Sequence, residues 1–392
     1  MKRILIFSTA YLPFVGGAEV AVKEITERLA EEYEFDLITA RLSRTLPRSE
    51  IVGKVRVFRI GIGIPIMDKL ILPFVGALKA WGLIRNNKYQ AFWCIMATWA
   101  SGAAYAVNMV RGVFFRKRVP LVLTLQEGDS EEHLRYRRGG LISLSWYMAL
   151  KRTDMVTAIS NYLLARAKAM GYKGESVLVP NGVNTRKFQV TDSNLLRAEI
   201  RGMHGFSEED MILVTTSRLV KKNGVENVIE ALQFLPENVK FMIIGTGELE
   251  ESLKLKVKSL KLDDRVKFLG LISHDEIPKY LTASDVFVRP SLSEGMGNSF
   301  IEAMAAGIPI VATPVGGIVD FLRNGETGLF AEVENPPSVA KAVQKYIDDP
   351  ILRDHIIENA KRMVKEMYDW DIIANRMRSV FTGAASRSDL DQ

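Results

Sequence analysis

Short apolar runs alternate with amphipathic segments along nearly the whole chain, and this alternation limits the fold more than any other feature. A strand followed by a helix has its next strand placed for parallel pairing, so the order specifies an α/β sheet protein and excludes a hairpin-built one. In the first half, Arg3 to Ser8, Phe35 to Thr39, Val55 to Arg59, Leu121 to Leu125, Met155 to Ile159 and Ser176 to Val179 read as strands. Glu19 to Glu32 and Tyr162 to Met170 read as helices between them. The pattern then starts over. Met211 to Thr216, Lys240 to Ile244, Val266 to Leu269, Val286 to Arg289 and Ile308 to Thr313 read as strands, with helices over Val225 to Leu235, Asp275 to Thr282 and Ser299 to Ala306.

A length of 392 residues fits two such doubly wound halves, each with its own core. Pro180-Asn181-Gly182 supplies a sharp turn, and Asn184 to Ser193 is poor in large apolar residues, which puts the junction between 1–185 and 186–367. Trp370, Ile373, Met377 and Phe381 share one face of a final helix, about 368–383, and Ala384 to Gln392 is expected to fray.

The longest uncharged stretch, Tyr89 to Val110, contains Gln90, Thr98, Ser101, Gly102 and Asn108, so it reads as a buried strand and a small-residue helix, not a membrane span. Leu70 to Ile84 carries Lys79 and reads as a helix lying on something. Met1-Lys2-Arg3 before the run Ile4 to Ala10 reads as a first strand, since Pro13, Gly16 and Gly17 soon interrupt it. A single cysteine, Cys94, excludes an internal disulfide and a Cys-based metal cluster, and points to a reducing, cytoplasmic setting.

Charge is uneven. Residues 1–185 hold 26 Lys and Arg against 15 Asp and Glu (net +11), whereas 186–392 hold 26 against 31 (net −5). The positive charge clusters at Arg111, Arg116, Lys117 and Arg118 and again at Arg135, Arg137, Arg138, Lys151 and Arg152, among Phe114, Phe115, Leu134, Trp146 and Tyr147. Such a surface suits anionic headgroups or an acidic acceptor, and equally an ordinary solvated face. No nucleic-acid motif accompanies it.

Three loops carry candidate chemistry. Ser291-Leu292-Ser293-Glu294-Gly295-Met296-Gly297-Asn298-Ser299-Phe300-Ile301-Glu302 follows a strand and opens a helix. Its glycines allow close backbone approach, and its helix start offers amides to a diphosphate. Glu294 and Glu302 would repel phosphate, so they suit neutral hydroxyls of sugar and ribose. Ser299-x-x-Glu302 also fits a capping box that needs no ligand. Thr216 to Gly224 places Arg218, Lys221 and Lys222 at another strand end, where together they offset diphosphate charge. Tyr11 to Glu19 joins the first strand to the first helix, with Gly16 and Gly17 available to a ligand. Gly245-Thr246-Gly247 is an incomplete dinucleotide signature, which disfavours an oxidoreductase. His133, His204, His274 and His355 show no metal spacing and read as surface or capping residues.

In chain order, Gly16-Gly17-Ala18-Glu19, Val179-Pro180-Asn181-Gly182-Val183-Asn184, Ser217-Arg218-Leu219 and Glu294-x7-Glu302 resemble the family-4 retaining glycosyltransferases of GT-B fold, the glycosyl transferases group 1. The resemblance spans nearly the whole chain. It implies two Rossmann-like domains facing each other across a cleft, an N-terminal acceptor domain, a C-terminal donor domain, and a final helix that crosses back. It also implies that Arg218 and a lysine bind the donor diphosphate, Glu294 the donor sugar and Glu302 the ribose, while Gly16 and Gly17 approach from the other domain. Backbone from Gly295 and Met296 through Gly297, Asn298 and Ser299 would meet sugar or phosphate. A UDP- or GDP-sugar would be a substrate, and no cofactor or metal is expected.

Two positions depart from the family pattern. Asn223 stands where the usual lysine precedes glycine, leaving Lys222, with Lys221 in reserve, to supply the charge. Gln126 stands where many relatives have histidine, and it cannot shuttle a proton. It can hold a sugar hydroxyl, and Glu127, Asp129, Glu19 and Asn181 are further candidate acceptor contacts. The expected activity is hexosyl transfer to a glycan or lipid-linked acceptor in envelope or exopolysaccharide synthesis, on the inner face of the membrane. Rival readings are a sugar-phosphate synthase or phosphorylase on the same fold, and a non-catalytic nucleotide-sugar-binding partner.

Overall fold

The structure is a computed structural model that describes residues 1–114, 118–128, 141–189 and 193–390. It divides into two compact units, Met1–Asn181 with Trp370–Gln392, and Gly182–Asp369. Phe115, Arg116, Lys117, Asp129, His133, Leu134, Arg135, Arg137 and Arg138 lie outside the described residues.

The first unit is built on β1 (Lys2–Phe7), β2 (Tyr33–Ala40), β3 (Ser49–Val52), β4 (Val55–Ile60), β5 (Ala91–Ile95), β6 (Leu121–Leu125), β7 (Met155–Ala158) and β8 (Glu175–Leu178). They form an eight-stranded sheet in the order β3-β4-β2-β1-β5-β6-β7-β8. All pairings are parallel except β3 with β4. Central strands such as β1 and β5 are buried along almost their whole length, which is why they read as continuous apolar runs. The uncharged stretch forms β5 and the helix Trp99–Phe114.

The second unit is built on β9 (Met211–Thr216), β10 (Val239–Ile244), β11 (Val266–Gly270), β12 (Val286–Arg289), β13 (Ile310–Ala312) and β14 (Leu329–Phe330). The order is β11-β10-β9-β12-β13-β14, with every pairing parallel. In both sheets the chain winds outward from the first strand, returns to its other side and winds away again. The reversal lies between β1 and β5 in the first sheet and between β9 and β12 in the second, and it leaves a crevice at the carboxyl ends of those strands.

The junction falls between Asn181 and Gly182, four residues before the expected boundary at 185. Val183 and Thr185 pair within the second unit: the Val183 amide donates to the Tyr368 carbonyl at 2.8 Å and Thr185 Oγ1 donates to Asp369 Oδ2 at 2.6 Å. The final helix runs from Trp370 to Leu390, past the point where fraying was expected. Its Trp370, Ile373, Met377 and Phe381 lie in the first unit's core, with Phe381 edge-on to Trp93 at 5.3 Å between centroids. Ion pairs Arg28–Asp371 at 2.6 Å and Arg378–Glu32 at 2.9 Å flank that seam.

Candidate functional site

In the second unit the loops after β9 and β12 are locked together through backbone. Gly224 has φ +66°, and a Cβ there would stand 2.1 Å from the Pro290 carbonyl oxygen. The Leu292 amide donates to the Lys222 carbonyl at 2.7 Å. Asn223 is buried and its side-chain amide donates to the Arg218 carbonyl at 2.7 Å. The place of the family's lysine is therefore taken by an internal brace. Lys221 lines a small cleft with Glu226, Leu249 and Glu334 whose lining includes neither Arg218 nor Glu294. Lys222, at the centre of the 3-10 turn Lys221–Asn223, is joined to the Glu294 loop through its backbone carbonyl. Gly245 and Gly247 serve packing: a Cβ at either would strike the Ser217 or Leu219 carbonyl oxygen, at 2.0 and 2.4 Å.

Glu294 is clamped. Arg289, the buried last residue of β12, reaches its Oε2 through Nη2 at 2.9 Å and donates from Nη1 to Ser299 Oγ at 2.7 Å. Burial lowers the Arg289 pKa, and the neighbouring Glu294 charge opposes that shift. The guanidinium also stacks 4.1 Å from the Phe300 ring centroid. Glu294 Oε1 accepts from the Gly295 amide at 3.0 Å, and its carbonyl accepts from the Gly317 amide at 3.1 Å. Gly316, φ +56°, has no room for a side chain, since its Cβ would lie 1.8 Å from that same carbonyl oxygen. A carboxylate held by one guanidinium nitrogen and one amide keeps lone pairs for sugar hydroxyls.

The helix Asn298–Ala306 starts at Gly297, φ +86°, with no side-chain cap. Its partial positive charge thus faces the crevice end of β12. The capping box is not formed, because Ser299 lies inside the helix and accepts from Arg289, while Glu302 turns elsewhere. Glu302 Oε1 lies 2.8 Å from His274 Nε2, and that hydrogen bond raises the His274 pKa against the lowering effect of burial. Lys187 Nζ lies 3.3 Å from His274 Nδ1 and 2.6 Å from Asp275 Oδ1. His274 is an exposed residue, as expected, and it meets Glu302 at the surface. The buried hydroxyls of Thr216, Ser217 and Ser291, at the ends of β9 and β12, have no hydrogen-bond partner among the described residues. Buried polar atoms without partners at a strand-end crevice are what a polar ligand would satisfy.

The corresponding edge of the first unit is different. Gly16 precedes the helix Gly17–Leu29, which no side chain caps. Glu19 folds back toward the amides of Gly16 and its own residue, with its pKa raised because it is buried. The expected acceptor contact is thus engaged within its own helix start. Glu127 bridges two strand ends: it accepts from the Ala97 amide at 2.8 Å and the Gln126 amide at 2.9 Å, and burial raises its pKa. Gln126 Oε1 accepts from the buried Asn181 side chain at 3.4 Å, so these three residues form one polar group at the ends of β6 and β8.

Two family models match in succession, Glycosyltransferase Family 4 over residues 15–187 and Glycosyl transferases group 1 over residues 197–363. The chain belongs to the family-4 glycosyltransferases of GT-B fold. This glycosyltransferase is 28% identical to the N-acetyl-alpha-D-glucosaminyl L-malate synthase of Bacillus anthracis over 97% of both chains. It is 30% identical to the GDP-mannose-dependent alpha-(1-6)-phosphatidylinositol monomannoside mannosyltransferase of Mycobacterium tuberculosis, over 59% of this chain and 62% of that one. The sucrose-phosphate synthase of Thermosynechococcus elongatus shares its fold at a TM-score of 0.82 and 22% identity, covering 99% of this chain and all of the other. Anabaena HepE, solved with UDP and glucose, aligns at a TM-score of 0.77 and 21% identity over 98% of this chain and all of the other.

Four residues around the glycosyltransferase's candidate site escape a reading of the sequence. Arg289 looks like the end of an ordinary strand, His274 stands far from Glu302 along the chain, and Gly316-Gly317 after β13 resembles any turn. Only the glycine pair carried a signal, since two glycines after a strand mark a close backbone approach. Among the described residues no group of three His, Cys, Asp or Glu is placed to hold a metal ion.

Proposed function

We propose that this glycosyltransferase moves a hexose-type sugar from a nucleoside-diphosphate sugar to a glycan or lipid-linked acceptor, with retention of anomeric configuration. The observation that carries the reading is the Arg289-clamped Glu294 beside the uncapped helix at Gly297 and the unpartnered hydroxyls of Thr216, Ser217 and Ser291. Glu294 and the Met296–Ser299 backbone receive the donor sugar and its phosphates, Arg218 and Lys222 offset the diphosphate charge, and Glu302 accepts from ribose. The acceptor hydroxyl attacks the anomeric carbon on the face the diphosphate leaves, and the leaving phosphate oxygen takes the hydroxyl proton. No enzyme nucleophile is needed. Gln126 and Asn181 orient the acceptor. Relatives named for phosphatidylinositol mannoside and malate acceptors support a hydroxyl acceptor, and the basic first unit favours a lipid-linked one in cell-envelope synthesis at the inner membrane face.

The test is a thermal-shift screen against UDP, GDP, ADP and their sugar conjugates, with and without magnesium, repeated on Arg218→Ala. One nucleotide family should raise the melting temperature, by mass action on the native state, and the shift should vanish in the variant. A shift that Arg218→Ala leaves intact would remove the diphosphate from this crevice.

A further inference from the structure

The helix Pro65–Asn86 has a buried face and an exposed face, and both are apolar. Leu72, Gly76 and Ala80 face inward. A Cβ added at Gly76 would lie 3.2 Å from Ala103 and 3.5 Å from Ile38, so this side packs on the helix Trp99–Phe114 and strand β2. On the opposite side Ile66, Leu70, Phe74 and Leu78, four residues apart, form one ridge exposed by 73%, 46%, 73% and 72%, with Met67 and Val75 exposed beside it. The neighbouring helix Trp99–Phe114 ends on exposed Val113 and Phe114. A surface helix of a water-facing domain carries polar residues on its outer side, and an apolar outer side this long marks a contact surface.

Charge selects the occupant. The two helices carry Lys69, Lys79, Arg85 and Arg111, and a single acid, Asp68. Asp68 is fully buried and turned inward, accepting from the amides of Leu42 at 3.0 Å, Ile62 at 2.8 Å and Gly63 at 2.9 Å. Every other charge on the pair is therefore positive. A second copy docked across this face by two-fold symmetry would set Lys69 and Arg85 against themselves, with no carboxylate to meet them. A bilayer interface with anionic headgroups satisfies both features at once: acyl chains receive the ridge, and phosphates meet the flanking cations.

We infer that the helix Pro65–Asn86 lies in the plane of an anionic membrane surface, with the Ile66-Leu70-Phe74-Leu78 ridge inserted and Lys69 and Arg85 at headgroup level. This rests on the lipid-linked acceptor reading and names the element that brings the enzyme to such an acceptor. The anchor is a face of the folded unit. Among the described residues no helix is long and apolar enough to cross a membrane.

The full chain would be sedimented with vesicles of phosphatidylcholine alone and of equal parts phosphatidylcholine and phosphatidylglycerol. It should bind the anionic vesicles, more weakly but still measurably in high salt, because the apolar contribution is not screened. The triple variant Leu70→Ser, Phe74→Ser, Leu78→Ser should lose at least about tenfold in partitioning, and Lys69→Gln with Arg85→Gln should lose chiefly the salt-sensitive part. The ridge is exposed, so the triple variant should keep the wild-type melting temperature and its nucleotide-induced shift. Loss of vesicle binding with that shift retained isolates docking from donor binding. Equal binding by the triple variant and wild type, or no wild-type binding to anionic vesicles, overturns the inference. So does a vesicle-free dimer that the triple variant converts to monomer, which would give the face to a second copy.

Discussion

The two units share a winding order but use their surfaces oppositely. In the second, the strand-end crevice is crowded with backbone: Gly224 against Pro290, Gly316 against Glu294, and Arg289 beneath the loop. In its outer helices charge is paired, as where Lys254 on the helix Glu250–Ser259 meets Glu250 at 2.8 Å and Glu251 at 3.0 Å. In the first, the crevice edge is held by side-chain carboxylates, Glu19 and Glu127, and the one acid of the outer helix Pro65–Asn86, Asp68, is buried. One topology thus carries a backbone-crowded crevice in one unit and an apolar outer helix face in the other. The difference lies in which loops carry glycine and which helix faces carry charge, and winding order dictates neither.

Kinetics give the largest test of that division. Lys222→Ala should lower turnover by about 10²- to 10³-fold, as loss of a preorganised charge at a leaving group does. Gln126→Ala, at the matching edge of the first unit, should chiefly raise the acceptor KM. Equal turnover losses in both would mean that donor and acceptor work are not divided as proposed.

Glycine substitutions give the next largest effect. Gly316→Ala combines positive φ with a Cβ aimed at the Glu294 carbonyl, and should cost about 1–3 kcal/mol in a denaturant titration. Gly82→Ala, within the first unit's exposed helix and with nothing within 4 Å of its Cβ, should instead stabilise by about 0.4–1 kcal/mol. Opposite signs would confirm that close backbone approach belongs to the second crevice. A cost at Gly82 would mean that the outer helix is already covered.

The smallest effect is a pH dependence. His274 is held above its ordinary value of 6.5 by Glu302, so its contribution to stability is complete below that value and is lost as pH rises through the raised one. His274→Gln should therefore lower the melting temperature at pH 6 more than at pH 9. A penalty independent of pH would show that the pair is held by geometry and not by charge.

Strands Leu121–Leu125, Met211–Thr216 and Val286–Arg289 coincide with their apolar runs, because a strand buried on both faces has no other pattern. Edge strands β3 and β14 are short and partly exposed, so nothing distinguishes them from loop. The helix expected over Val225 to Leu235 ends at Ala231 and tightens into a 3-10 turn over Leu232–Phe234. The helices Pro336–Asp348 and Pro350–Met367 went unread, although Asn335 and Asp349 stand before proline as caps that accept from Ser338 and Leu352 amides.

By itself, the sequence determined the parallel α/β class, the two halves, the glycine-bearing loops at strand ends and the Glu294 and Glu302 pair, since periodicity and turn chemistry are local. Tertiary structure alone decided that Arg289 holds Glu294, that His274 holds Glu302, that Asn223 braces the Arg218 loop, and that Asp68 turns inward and leaves its helix with only positive charge outside. Each of these joins groups whose encounter depends on how strands, loops and helices are packed, and no local pattern in a chain encodes that packing.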